Sequence, residues 1–264
     1  QKPRIIHSAI DFAGYPVLNR TYDQIAWVEW QQPSMPWDSS QLWWGRLDYS
    51  GDIFDTHLIA GSKFEDRSDI SVFQPIWLHD GSLLVSEDRN GWWNLMITDR
   101  YKISDIFPKW RRLWPMQSET ANAQWIFGMS TVAVAGEKII SAVCDHGEWK
   151  LCCLSLDGSV EEINQPFNDL SHIQAHKNHV IALASNYSNT SGLLELDLSK
   201  GTTTHISSSV HLDEEYISKP EKLSFKGFMD QQSYAWYYPP IHCTRKKPPL
   251  LVKSHSGPTS MASP

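Results

Sequence analysis

Two neighbouring stretches decide the fold: Lys138-Ile139-Ile140-Ser141, and Trp149-Lys150-Leu151-Cys152-Cys153-Leu154-Ser155-Leu156-Asp157-Gly158. Each is a short apolar run bounded by turn formers, Gly136-Glu137 before the first and Asp157-Gly158 after the second. Runs of this length with such punctuation read as antiparallel strands joined by tight turns. The pair recurs. Ile25-Ala26-Trp27-Val28 precedes Gln41-Leu42-Trp43-Trp44-Gly45-Arg46-Leu47-Asp48, and Ser82-Leu83-Leu84-Val85 precedes Trp93-Asn94-Leu95-Met96-Ile97-Thr98-Asp99. His179-Val180-Ile181-Ala182-Leu183 precedes Leu193-Leu194-Glu195-Leu196-Asp197. Ahead of each pair stands an opening strand: Tyr15-Pro16-Val17-Leu18, Gln74-Pro75-Ile76-Trp77, Gln124-Trp125-Ile126 and His172-Ile173-Gln174. The spacing of these openings, roughly 50 to 60 residues, lies near that of four-stranded propeller blades.

No helical run of ten or more residues interrupts the pattern, so the chain reads as nearly all β. The expected architecture is a partial β-propeller of about four four-stranded blades within 1–209, at 10–62, 70–117, 121–166 and 167–209. The longer first interval is explained by the insertion Gln31 to Ser40, which holds two prolines and Trp37. Trp27, Trp43, Trp77, Trp93, Trp125 and Trp149 fall at matching points of the repeat, so packing between blades accounts for them.

Composition excludes several classes. The 264 residues are 41% hydrophobic and 20% charged with net charge −7, the balance of a globular chain. Lys and Arg are scattered apart from Arg245-Lys246-Lys247, so nucleic acid is not an expected partner. No run has the ~18 uncharged apolar residues that cross a bilayer, and no membrane partner is expected. Four cysteines with no C-x-x-C spacing suggest neither a zinc site nor a disulfide framework, and a cytoplasmic setting is expected. His172, His176 and His179 have helical metal-ligand offsets, but they sit in a strand-turn-strand pattern. No metal or cofactor is expected.

After Ser209 the rhythm stops. Residues 210–240 read as a crossover, with strands at Glu221 to Phe225 and Ser233 to Tyr238, and Leu250-Leu251-Val252-Lys253 reads as one more buried strand. Tyr237-Tyr238-Pro239-Pro240, then Pro248-Pro249-Leu250-Leu251-Val252-Lys253-Ser254-His255-Ser256-Gly257-Pro258-Thr259, resembles the approach to the α/β-hydrolase domain in the prolyl oligopeptidase family. The bacterial dipeptidyl aminopeptidase and acylaminoacyl peptidase branch is the nearest in pattern. There the strand ends in His-Gly-Gly-Pro-Thr, whereas this chain has Ser256 at the second position. Trp27-Val28-Glu29-Trp30, Asp88-Arg89-Asn90-Gly91-Trp92-Trp93 and Gln124-Trp125-Ile126-Phe127-Gly128 occur in that family's order.

The resemblance implies that 241–264 is a truncated start of an α/β-hydrolase domain, with catalytic Ser, Asp and His outside this chain. No G-x-S-x-G nucleophile elbow occurs in the sequence, so this polypeptide alone is expected to be inactive. The family's loop after the last strand helps form the oxyanion hole. On that match Gly257 is the candidate backbone donor, and His255 and Pro258 shape the turn. Trp37 is a candidate substrate-gating residue on its Pro-rich loop. Glu29, Asp38, Glu87, Asp88 and Arg89 are candidate polar contacts for a substrate terminus, against which stands a reading as solvated turns and edge protection.

The function these signals imply is a non-catalytic, substrate-gating portion of a serine exopeptidase acting on short peptides. Its partners would be the peptide and the α/β-hydrolase domain. The alternative is a free-standing propeller that binds other proteins. A propeller glycosidase would need two converging carboxylates, and no Asp or Glu pair singles itself out. Without closure between first and last blades, the chain is expected to be marginally stable or to self-associate.

Overall fold

The computed structural model describes residues 2–63, 69–99, 108–207, 213–244, 247–257 and 259–264. Four meanders of four antiparallel strands follow one another. The first holds β1 (Phe12–Leu18), β2 (Gln24–Trp30), β3 (Gln41–Leu47) and β4 (Ile53–Gly61). The second holds β5 (Val72–Trp77), β6 (Leu83–Glu87), β7 (Asn94–Thr98) and β8 (Trp110–Arg112). β9 (Val132–Ala135), β10 (Lys138–Asp145), β11 (Glu148–Leu154) and β12 (Val160–Glu162) form the third. β13 (Asp169–His176), β14 (His179–Ser185), β15 (Gly192–Asp197) and β16 (Thr202–Ser207) form the fourth, and β17 (Glu221–Lys226) pairs with β18 (Gln232–Tyr237) as a separate hairpin. No α-helix occurs among the described residues.

The first strands touch across blades, β1 with β5 and β9 with both β5 and β13, which makes them the inner strands of a partial β-propeller. Three of them carry the same defect. Tyr15, Gln74 and His172 have positive φ, each inside a register shift of its strand. A bulge of this kind bends a strand and increases its twist.

Strand alternation assigns each core. In β10, Ile140, Ala142 and Cys144 pack toward the fourth sheet, while Ile139 and Val143 pack toward the second. In β2, Ala26 and Val28 pack on Leu83, Val85 and Met96 of the second sheet. Both faces of the middle blades are therefore apolar, which is why their strands read as continuous runs. A fully buried Leu151 or Ile140 contributes ~1.5 to 3 kcal/mol of transfer free energy, and truncating Leu151 to Ala costs ~2 to 5 kcal/mol. Indoles add polar ties, Trp77 Nε1 donating to Val17 O at 3.3 Å and Trp110 Nε1 to Ile59 O at 2.8 Å.

The fourth sheet alternates differently. Val180, Ala182 and Ala184 face the third blade, but Ile181, Leu183, Leu193 and Ile206 are exposed on the opposite face. Leu183 pairs with Leu193, and Leu193 with Ile206, so these three form one row, with Ile181 two positions before Leu183 on the same face.

Two expectations are corrected. Gln124-Trp125-Ile126 is a loop, and the third blade opens at β9, where Gln74 of the neighbouring inner strand holds the backbone of Thr131 and Val132. Leu250 to Lys253 is not a strand. Leu250, Leu251 and Val252 are 76%, 91% and 81% exposed, with no described strand alongside to take their backbone groups.

Candidate functional site

The Gln31 to Ser40 insertion does not stand away from the body. Asp38 Oδ2 accepts the Met35 N–H at 3.1 Å, and the carbonyl of buried Pro36 accepts the Ser71 hydroxyl. This fold-back lays Trp37, half-buried, onto a small apolar cluster of Phe73, Trp93 and Ala121. The other side of Trp37 meets Trp125, with ring centroids 4.2 Å apart and planes tilted by 47°. Trp125 is 49% exposed, unlike the buried Trp27, Trp93 and Trp149, so it does not pack between blades. Its loop is pinned again two residues on: Phe127 lies 6.1 Å from Trp30 and 6.0 Å from Tyr15, whose hydroxyl donates to Ile126 O at 3.2 Å. One side of the first and second blades thus carries a continuous aromatic shelf.

The chain after the fourth blade returns to the third. Lys222 Nζ donates to Glu148 Oε2 at 2.5 Å, and Trp236 lies over Gly147 at the β10–β11 turn. Gly147 has φ +82, and a Cβ there would stand 3.4 Å from the Trp236 ring. The final residues cross the same region. Trp125 Nε1 donates to Thr259 O at 2.8 Å, Trp236 Nε1 donates to Ala262 O at 2.9 Å, and Met261 Sδ lies 3.7 Å from Cys144 Sγ. Gly257 has φ +124, and a Cβ would come within 2.9 Å of Thr259 N. Trp37 is thereby linked through Trp125 to Thr259, two residues past the candidate Gly257. His255 is exposed and its Nδ1 lies 2.8 Å from Ser256 O, apart from that link. Pro258 lies outside the described residues.

The carboxylates are less exposed than turn chemistry predicts. Glu87 is buried and held by Arg89 through Nε at 2.5 Å and Nη2 at 2.8 Å, a bidentate pair. Glu29 is buried and accepts Trp27 Nε1 at 2.6 Å, with His7 Nε2 at the same distance. Asp88 accepts the Ser71 N–H at 2.7 Å, and burial, with Glu87 nearby, pushes its carboxyl up to about 6. Glu119 accepts the Trp93 N–H at 2.7 Å, and burial raises it too, with Asp88 adding repulsion. Only Asp38 remains the exposed turn residue expected. Glu119 carries no sequence signal, because its partner Trp93 is brought to it by tertiary packing.

Ser171 Oγ and His172 Nδ1 are 3.1 Å apart, but they are chain neighbours at a bulge, with no carboxylate hydrogen-bonded to that ring among the described residues. His172 and His176 lie on β13 and His179 on β14, where His179 pairs with His176. Among the described residues no group of three or more His, Cys, Asp or Glu is placed to hold a metal ion. No described helix is long and apolar enough to cross a membrane.

Comparison with known proteins places this geometry. No family model matches the chain, and no curated protein sequence matches it. Solved structures do. They define the class first: the chain has the propeller fold of peptidases. A puromycin-hydrolyzing peptidase of Mycobacterium tuberculosis matches 90% of this chain and 36% of its own at 19% identity and TM-score 0.81. A puromycin hydrolase matches 87% and 34% at 25% identity and TM-score 0.78. Prolyl oligopeptidase B from Galerina marginata matches 84% and 30% at 13% identity and TM-score 0.65. The particular likeness is to the propeller portion of the prolyl oligopeptidase family. The chain spans about a third of the length of the structures it matches.

Proposed function

We propose that this chain is the substrate-gating propeller portion of a serine exopeptidase of the prolyl oligopeptidase family, acting on short peptides in the dipeptidyl or acylaminoacyl manner. The observation that carries this reading is the seating of the Gly257 segment against the aromatic shelf, in a fold shared with peptidases. In this proposal 210–240 is the crossover and 241–264 opens the α/β-hydrolase domain, which supplies nucleophile, base and acid. Gly257 N–H donates to the developing oxyanion, a contact worth ~3 kcal/mol. Trp37, buttressed by Trp125, lines the approach and admits extended chains. A folded substrate would first have to give up a stability of ~5 to 15 kcal/mol.

The cysteines favour a cytoplasmic setting. Cys152 and Cys153 are neighbours on β11 but point into different cores, so they do not form a disulfide with one another.

The test is to express the reading frame that contains this chain together with its downstream sequence, and to assay dipeptidyl and acyl-aminoacyl amides beside peptides of increasing length. Hydrolysis that falls steeply with substrate length is expected. A frame without a G-x-S-x-G, or a protein that binds other proteins and cleaves nothing, would instead support the scaffold reading.

A further inference from the structure

The tail that follows Gly257 is tied to the propeller by two indoles from distant parts of the chain. Trp125 reaches Thr259 O at 2.8 Å from the third blade's loop, and Trp236 reaches Ala262 O at 2.9 Å from β18. Neither contact is a by-product of core packing, since Trp125 is half exposed and Trp236 is only partly buried. Each indole has its own support. Trp125 rests on Trp37, which rests on the Phe73, Trp93 and Ala121 cluster, and Trp236 is backed by Gly147 with Lys222 5.7 Å from its ring centroid. A rigid donor on a rigid base fixes the acceptor it binds.

The acceptors sit where position matters. Gly257 holds a left-handed backbone (φ +124) that a side chain would strain, and it lies two residues before Thr259, the first residue the indoles tie down. We infer that Trp125 and Trp236 form an indole clamp, and that Trp125 is a positioning residue for the Gly257 backbone donor. The chain of contact runs from the propeller core through Trp37 and Trp125 to Thr259, two residues past Gly257. The propeller would therefore tune the chemistry by orienting a donor as well as by restricting access. The second statement rests on the peptidase reading; the clamp itself does not.

Hydrogen exchange on the 264-residue chain tests the clamp. Trp125→Phe keeps a ring on Trp37 but removes the donor, and benzothienylalanine at position 125 keeps the full ring shape while replacing N–H with sulfur. Both are expected to speed amide exchange across 257–264 by about five-fold, the effect of losing one exposed hydrogen bond, with the thermal midpoint little changed. Unchanged exchange in both variants would overturn the clamp, and faster exchange in Trp125→Phe alone would reduce Trp125 to a packing residue. In the longer protein, the same variants are expected to lower kcat about ten-fold with KM held. Faster exchange with unaltered kcat would overturn the positioning role. A longer protein that cleaves no peptide, yet shows the exchange effect, would remove the peptidase reading and leave the clamp standing.

Discussion

The side-chain amide of Gln74 brackets the backbone of Val132: its Nε2 donates to Val132 O at 2.6 Å and its Oε1 accepts the Val132 N–H at 3.3 Å. The same oxygen accepts the Thr131 N–H at 2.9 Å. One side chain on the second blade therefore completes the inner edge of the third, at the point where the third lacks a bulge of its own.

Gln74→Leu keeps the side-chain volume and leaves these backbone groups without their partner. It is expected to destabilise the chain by about 2 kcal/mol, since each unsatisfied buried group costs ~1 to 3 kcal/mol. Urea unfolding followed by tryptophan fluorescence measures it; a loss below a few tenths would show that the bracket is incidental.

Asp88 gives a pH dependence of defined sign. Its folded carboxyl is raised to about 6, so the native state holds a proton that the unfolded chain has released at about 4. This contribution is present at low pH and is lost as pH rises from about 4 through about 6. Glu119, shifted in the same direction, adds to it, whereas Asp197, lowered by Ser199 and Lys200, acts oppositely in more acidic solution. Asp88→Asn retains the oxygen that accepts the Ser71 N–H and removes the titration. Relative to the parent, its urea midpoint is expected to climb between pH 4 and 6 and then to plateau; parallel pH profiles would contradict the assignment.

The exposed apolar face of Ile181, Leu183, Leu193 and Ile206 is expected to drive self-association. Replacing Ile181 and Leu193 by Lys should shift the chain toward monomer in light scattering after gel filtration, with little loss of fold because neither residue is buried. A parent chain that is monomeric at high concentration would refute this.

Thiol reactivity follows burial. Cys144 and Cys152 are buried and their thiols are pushed up to about 11, Cys153 is raised in the same direction, and Cys243 is exposed. At pH 8 a disulfide reagent is expected to titrate Cys243 rapidly and the other three only on unfolding. Fast reaction of more than one thiol would mean that the third blade opens readily.

The sheets were legible because their apolar runs and turn residues are local signals: β10 and β11 could be read from Gly136-Glu137 and Asp157-Gly158 alone. The third opening was not. Gln124-Trp125-Ile126 has strand composition, but Trp125 is held by Trp37, a residue 88 positions earlier that no local rule connects to it. The Trp37 insertion was visible as an oddity, and the tail as a resemblance, yet their junction needed the fold. The Asp88 and Glu119 carboxyls were hidden for the same reason, since burial by distant chain leaves no trace in composition. Leu250 to Lys253 shows the reverse case, a strand-like run without a neighbour to make it one.

The landing of β17–β18 on the third blade, past the fourth, gives the chain an order of assembly. Lys222 is 74 residues beyond Glu148, so at ~5 to 20 residues per second the turn carrying Glu148 leaves the ribosome several seconds before its partner exists. In that interval the fourth blade is made. If it has folded, the two groups are delivered to one another at little further entropic expense; if not, an open loop of that length must be closed first. The Glu148–Lys222 contact is therefore expected to form late in synthesis, and more readily once the fourth blade between its partners has folded.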